Sequence, residues 1–352
     1  MVKSIVNPAI KYGLQTTPPN AAAGLTAAVY AQINHDMMNV PPPFTIHSPS
    51  PALLAGLWSI FRETLVAGRV DRGLKEGIAT AISEINRCTW CVDSHAIALY
   101  ATGNGDSLRW LQQHRNAQPN GLQSPLTHQL MTWALATRTP SATVLSQPPF
   151  EQRDAAEIIG TALTFHYLNR IVNALLVESP FTQQGWQKTL LQRGVGLIFR
   201  QRTSLTTLSG TTAAFLPEAD LPPDFAWAAG TPAIAAAFAR FAKVVDDGGR
   251  RALPDAVRRV VGGYVSQWQG DDPGLSRRWV DEALRPLEPA HQPAARLALL
   301  GAIAPHQIDA SIVNAYRGEG MTDTAVVEAL AWAGFAAAQR ISTWLIPAHW
   351  AR

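Results

Sequence analysis

Two cysteines, one histidine and one glutamate carry the chemistry that can be read from this chain, and all four fall in the segment Glu76 to His95. The segment reads EGIATAISEINRCTWCVDSH. Eleven residues separate Glu76 from Cys88, two separate Cys88 from Cys91, and three separate Cys91 from His95. On one helix the last two spacings are i, i+3 and i, i+4, which puts both thiols and the imidazole on one face. Such a set can run redox chemistry: one thiolate attacks, the second thiol closes a disulfide, and the imidazole takes up the proton. Tuning matters, since a thiol of pKa ~8.5 is about 3% ionised at pH 7 and one of pKa ~7 is about half ionised.

Glu76 does not join that face on a straight helix. At about 100° per residue, twelve residues leave it roughly a third of a turn away, so the chain must break between Glu76 and Cys88. Asn86 and Arg87 are where the break belongs. Asn caps helices well, which predicts Cys88 in the first turn of a new helix, where terminal amides favour a thiolate. His95 then takes the proton from Cys91, and Glu76 orients His95 or relays the proton onward. Cys91, one turn before His95, is the candidate attacking thiolate, and Cys88 the thiol that resolves the sulfenic acid. Three other readings compete: a buried structural cysteine pair, a zinc site for which CxxCxxxH supplies only three ligands, and a thioredoxin-like domain, which needs strands around the motif.

The elements that must position these residues read as helices. Leu53, Leu54, Leu57, Trp58 and Phe61 recur at helical spacing after Pro51, and Leu74, Ile78, Ala81, Ile82 and Ile85 do so from Asp71. A third helix runs from Cys88 to about Gly103. Further helices are predicted at Pro125–Thr137, Glu151–Leu176, Phe181–Arg200, Ala233–Val245, Pro254–Trp268, Leu275–Leu284, Pro293–Ile303, Ile308–Tyr316 and Thr324–Leu345. Period-two alternation is nowhere sustained, so the fold class is all-α. The organisation is a proline-containing N-terminal arm over 1–45, a domain with the CxxC site over 46–202, a Thr/Pro/Gly-rich linker over 203–232 and a helical domain over 233–352. Phe165, Arg170, Ile171 and Leu175 have the mutual spacing of Phe335, Arg340, Ile341 and Leu345, which points to an internal duplication. His166, Tyr167, Asn169 and Arg170 lie on an otherwise apolar helix and form a hydrogen-bond network or touch substrate. The charged run Asp246–Arg251, with two glycines, reads as a solvated loop.

Composition narrows the function classes. The 352 residues are 47% hydrophobic and only 16% charged, with a net charge of +3, so a nucleic-acid partner is not expected and some surface should be hidden in an oligomer. No apolar run approaches the roughly 18 residues of a membrane span, and no secretory signal is visible. A cytoplasmic protein is the expectation.

At Glu76, Cys88, Cys91 and His95 the sequence resembles the family of alkylhydroperoxidase AhpD-like and carboxymuconolactone decarboxylase-like proteins, whose pattern of Glu, eleven residues, CxxC, three residues and His is filled without a gap. Ser59–Leu65, Val70–Lys75, Val92–Ala96 and Asn169 with Arg170 also look like the family, and the resemblance covers residues 45–200. It implies an AhpD-like helical fold, a homo-oligomer, and reduction of a hydroperoxide without cofactor or metal by a dithiol that a protein or lipoamide-type reductant recycles. Some relatives carry a His between the cysteines, where this chain has Trp90. The second half departs entirely. Counted from Asp255 as a counterpart of Glu76, its Cys and His positions fall at Gln267, Gly270 and Gly274, as in a degenerate copy. The family name also covers decarboxylase and lactone-acting members, whose chemistry needs no CxxC, and a non-enzymatic redox sensor is a third possibility.

Overall fold

Helices occupy nearly every stretch with apolar residues at helical spacing in a computed structural model that describes residues 10–113, 125–203 and 207–350. The first half contains α1 (Gly24–Met37), α2 (Pro42–Thr45), α3 (Pro51–Phe61), α4 (Arg72–Ile85), α5 (Thr89–Ala101), α6 (Gly105–Gln113), α7 (Leu126–Ala136), α8 (Thr143–Ser146), α9 (Ala155–Leu175) and α10 (Gly185–Thr203). The second contains α11 (Pro232–Ala252), α12 (Asp255–Gln267), α13 (Arg278–Leu284), α14 (Gln292–Ile303), α15 (Ala310–Arg317) and α16 (Asp323–Leu345). The fold is all-α. Among the described residues the strand-like pairing is one isolated bridge, Ile10 to Leu176.

Local chemistry sets the boundaries. Pro51 and Pro232 open α3 and α11 at positions whose N–H would be unpaired anyway. Asp71 caps α4 by accepting from the Leu74 amide at 3.2 Å, and Thr322 caps α16 in the same way. Beyond Phe61, α3 continues as a π-helical turn over Arg62–Val66. The run Asp246–Arg251 is not a loop but the last turns of α11. Its glycines serve close packing: a Cβ at Gly249 would overlap the Trp332 ring, and one at Gly248 would press on Glu328. Its charges pair along the helix or with α16, as in Arg250–Asp246 and Arg251–Glu328.

One hydrophobic core runs through both halves. Every residue of α9 except Asn173 is buried. On one side α9 packs against α4, which carries Glu76, and on another against α16; α3 packs against α11. The rings of Tyr167, Phe241 and Phe335 meet where the halves join, with centroids 4.9–6.2 Å apart. Beside them the fully buried His47 donates from Nδ1 to the Pro43 carbonyl at 2.9 Å and accepts at Nε2 from the Tyr167 hydroxyl at 2.8 Å.

Burial pushes His47 down to about 4, and His166, also fully buried, well below its ordinary range. Both must gain protons on unfolding once pH drops below their free value of about 6.5, so stability falls on acidification by up to about 1.4 kcal/mol per pH unit for each. Denaturant midpoints should therefore decline from pH 7 to pH 5. The His47→Gln protein should be less stable at pH 7 but show a shallower decline, and a wild-type profile flat over that range would contradict the buried neutral histidines.

Candidate active site

The break between Glu76 and Cys88 is a tight helix reversal. Asn86 ends α4, Arg87 takes the left-handed conformation at φ +54°, and the amides of Arg87 and Cys88 return to the carbonyls of Glu84 at 3.0 Å and Ser83 at 2.9 Å. That pair of bonds is a Schellman closure, made here without glycine at a cost of about 1–2 kcal/mol. Asn86 thus stops the first helix instead of starting the second. Cys88 is itself the residue at the head of α5, its carbonyl accepting from the Val92 amide at 2.9 Å.

Because α5 folds back along α4, Glu76 and His95 meet, nineteen positions apart in sequence: His95 Nδ1 lies 2.6 Å from Glu76 Oε2. Arg72 Nε donates to the other carboxylate oxygen at 2.6 Å. Burial alone would raise the Glu76 carboxyl, but Arg72 and His95 outweigh it and hold the group at about 2. An ionised Glu76 can only accept, which makes His95 Nδ1 the donor of this bond. The Phe165 ring meets the imidazole edge-on at 4.6 Å. Arg72 is the member of this site that the sequence reading missed, although its i, i+4 spacing to Glu76 is the signal for such a pair.

Both cysteines are free thiols, buried at 0% and 3% exposure for Cys88 and Cys91, while the His95 side chain is 14% exposed. The expected lowering at a helix start does not hold for Cys88. Burial, joined by the neighbouring Cys91 thiol, pushes the Cys88 thiol well above its ordinary range, and the Asn169 amide only partly opposes this. Asn169 also donates to Ser83 Oγ at 3.1 Å and accepts from Asn86 Nδ2 at 3.1 Å. Asn86 Nδ2 reaches His166 Nδ1 at 3.1 Å, and the opposite ring nitrogen of His166 meets the Thr137 hydroxyl at 2.8 Å. His166 and Asn169 are therefore in a network that fixes the reversal before Cys88, while Tyr167 turns away to His47. On the outer side, Asp93 ties α5 to the segment around α10 through Lys188 at 2.5 Å and the Ser179 hydroxyl at 2.7 Å. Trp90, between the cysteines, is buried. Among the described residues no group of three His, Cys, Asp or Glu side chains is placed to hold a metal ion.

Paired thiols at the head of one helix, with a histidine a turn later against a carboxylate of the preceding helix, define an all-helical dithiol protein. No family model matches the chain, and no solved structure matches it. A protein of Mycobacterium tuberculosis named alkyl hydroperoxide reductase is 36% identical to it over 332 residues, which is 94% of each chain. The chain belongs to that alkyl hydroperoxide reductase, AhpD-like, family.

Proposed function

We propose that the protein is a peroxidase of the alkylhydroperoxidase type that reduces hydroperoxides through Cys88 and Cys91. The observation that carries this reading is the 2.6 Å contact of Glu76 with His95, one helical turn after Cys91. His95 Nε2 takes the Cys91 proton. The thiolate attacks the terminal peroxide oxygen, the O–O bond breaks, and the departing alkoxide leaves as the alcohol with the proton from His95. Cys91 is now a sulfenic acid. Cys88 loses its proton and attacks that sulfur, releasing water and forming the Cys88–Cys91 disulfide. A dithiol or lipoamide-type reductant protein exchanges with the disulfide and restores both thiols. The raised Cys88 pKa supports this order, because a thiol held protonated by burial and by the neighbouring Cys91 is a poor first nucleophile.

The exposed face of α10 supports a homo-oligomer: Trp186, Leu190, Leu197 and Ile198 are each at least 63% exposed. No described helix is long and apolar enough to cross a membrane, and two free thiols suit the reducing cytoplasm. Residues 233–352 are read as a degenerate second copy, consistent with the pairing of α3 with α11 and of α9 with α16.

Repeated peroxide consumption with a dithiol reductant tests the activity. Consumption of a single equivalent that no reductant renews would make the protein a sensor instead. Glu76→Gln keeps size and hydrogen bonding but removes the charge that orients and supports His95. Thiol oxidation near pH 7 should slow at least tenfold, with the roughly 10²–10⁴-fold contribution of general acid–base catalysis as the upper limit. An unchanged oxidation rate, followed by stopped-flow tryptophan fluorescence, would make Glu76 a purely structural group.

A further inference from the structure

Directly behind the reversal that presents Cys88 lies a cavity that no step of the peroxide reaction uses. Asn86, Arg87, Arg138 and Arg170 from the first half line it together with Asp272 and His306 from the second. Its charge is unbalanced. Among the lining residues three guanidiniums face one carboxylate, Asp272, which is already engaged by Arg87 at 2.9 Å, while Asp271 in the adjoining groove also offsets Arg138. Burial holds His306 below its ordinary range, so the imidazole adds no negative charge and little positive.

Arg170 is the buried centre of this arrangement, at 3% exposure. Its Nε donates to the Ala302 carbonyl at 2.7 Å and its Nη1 to the His166 carbonyl at 2.5 Å, while no described residue accepts from Nη2. Arg138 donates to the carbonyls of Gly270 at 2.8 Å and Ile85 at 3.2 Å. Both guanidiniums lie over the Trp268 ring, 5.5 and 5.6 Å from its centre. The loop closes so tightly here that a Cβ at Gly270, whose φ is +89°, would overlap the Arg138 carbonyl. Carbonyl oxygens satisfy hydrogen bonds but leave the Arg170 charge uncompensated, and a buried unpaired charge is costly. Burial and the nearness of Arg138 bring the Arg170 guanidinium down to about 9, the direction expected of a cation without a counter-charge.

We propose that this cavity binds a small oxyanion of carboxylate size, held by the Arg170 and Arg138 guanidiniums at the junction of the two halves. Guanidinium forks match the paired oxygens of a carboxylate better than a point anion. The cavity is small, about 20 Å³ against the roughly 10–15 Å³ that one water needs, so it seats the oxygens of a single carboxylate. Next to it an open groove of about 520 Å³ shares Arg87, Arg138 and Asp272 and leaves room for a tail.

The test is titration calorimetry on the full-length reduced protein at fixed ionic strength, with formate, hexanoate, phosphate and chloride as separate probes. Formate should bind saturably, and more tightly than chloride or phosphate. Hexanoate binding at least tenfold tighter than formate would identify the head group of a larger acid, and equal affinities a free small anion; either supports the site. Arg170→Met should abolish binding. Because that variant removes a buried group and can unfold, Asp272→Asn on the partly exposed loop supplies the second reading: it removes the one carboxylate of the lining and should tighten formate at least threefold. Absence of saturable formate binding in wild type and Asp272→Asn, tighter binding of chloride or phosphate, or an unchanged affinity in Asp272→Asn would each overturn the proposal.

Discussion

Replacing Cys91 by serine should lower hydroperoxide turnover by about 10³-fold or more, because a serine hydroxyl beside His95 is neither ionised near pH 7 nor able to form a sulfenic acid. Cys88→Ser should behave differently. The Cys91 thiolate still attacks, so one equivalent of peroxide is consumed per chain at close to the wild-type rate. Without reductant the cycle then stops, because no second cysteine resolves the sulfenic acid. A sulfenic-acid trap should label Cys88→Ser after peroxide treatment and leave Cys91→Ser unlabelled. The asymmetry follows from environment: His95 lies a turn beyond Cys91, whereas Cys88 is fully buried with its thiol pushed up. Loss of the single-equivalent reaction in Cys88→Ser, with its retention in Cys91→Ser, would reverse the order of the two cysteines.

The second large effect is expected from removing the second half. A chain of residues 1–205 contains Glu76, Cys88, Cys91 and His95, yet it should aggregate or lose activity. Helix α9, which supports the reversal through Asn169 and His166, is buried on nearly all sides, and part of that burial comes from α16. Truncation strips Phe241 and Phe335 from Tyr167, and it takes the Ala302 acceptor and the Trp268 ring from the buried Arg170. Each large apolar side chain returned to water costs about 1.5–3 kcal/mol, so a handful suffices to cancel a typical stability of about 5–15 kcal/mol. Size-exclusion chromatography with light scattering, followed by a peroxide assay, decides the matter. A soluble, monomeric fragment as active as the whole chain would show the halves to be independent.

Much of this arrangement is legible in the sequence because it depends on local spacing. The Glu76, Cys88, Cys91 and His95 pattern requires a helix break at Asn86 and Arg87, and the reversal lies there. The helix boundaries follow proline, capping residues and apolar periodicity to within a few residues in most cases. What the sequence hides depends on partners distant along the chain. Asn86 meets His166 and Asn169 across 80 and 83 positions, so the network behind the reversal has no local signature. The rise in the Cys88 pKa comes from burial that a helix-start argument does not weigh. The run Asp246–Arg251 looks like a loop because glycines and charges share it, yet the glycines admit α16 and the charges find ion-pair partners. Helix α6 went unread, a nine-residue segment, GDSLRWLQQ, with few apolar positions to set a period.

The most direct measurement is thiol mapping across a peroxide titration. Reduced full-length protein is treated with increasing alkyl hydroperoxide, quenched with an alkylating reagent, and digested for mass spectrometry. One equivalent should convert two alkylated cysteines into a single intrachain Cys88–Cys91 disulfide, and a dithiol should return both to the reduced form. Two thiols that remain free at that dose, or oxidation that stops at a sulfinic acid without any disulfide, would contradict the dithiol peroxidase.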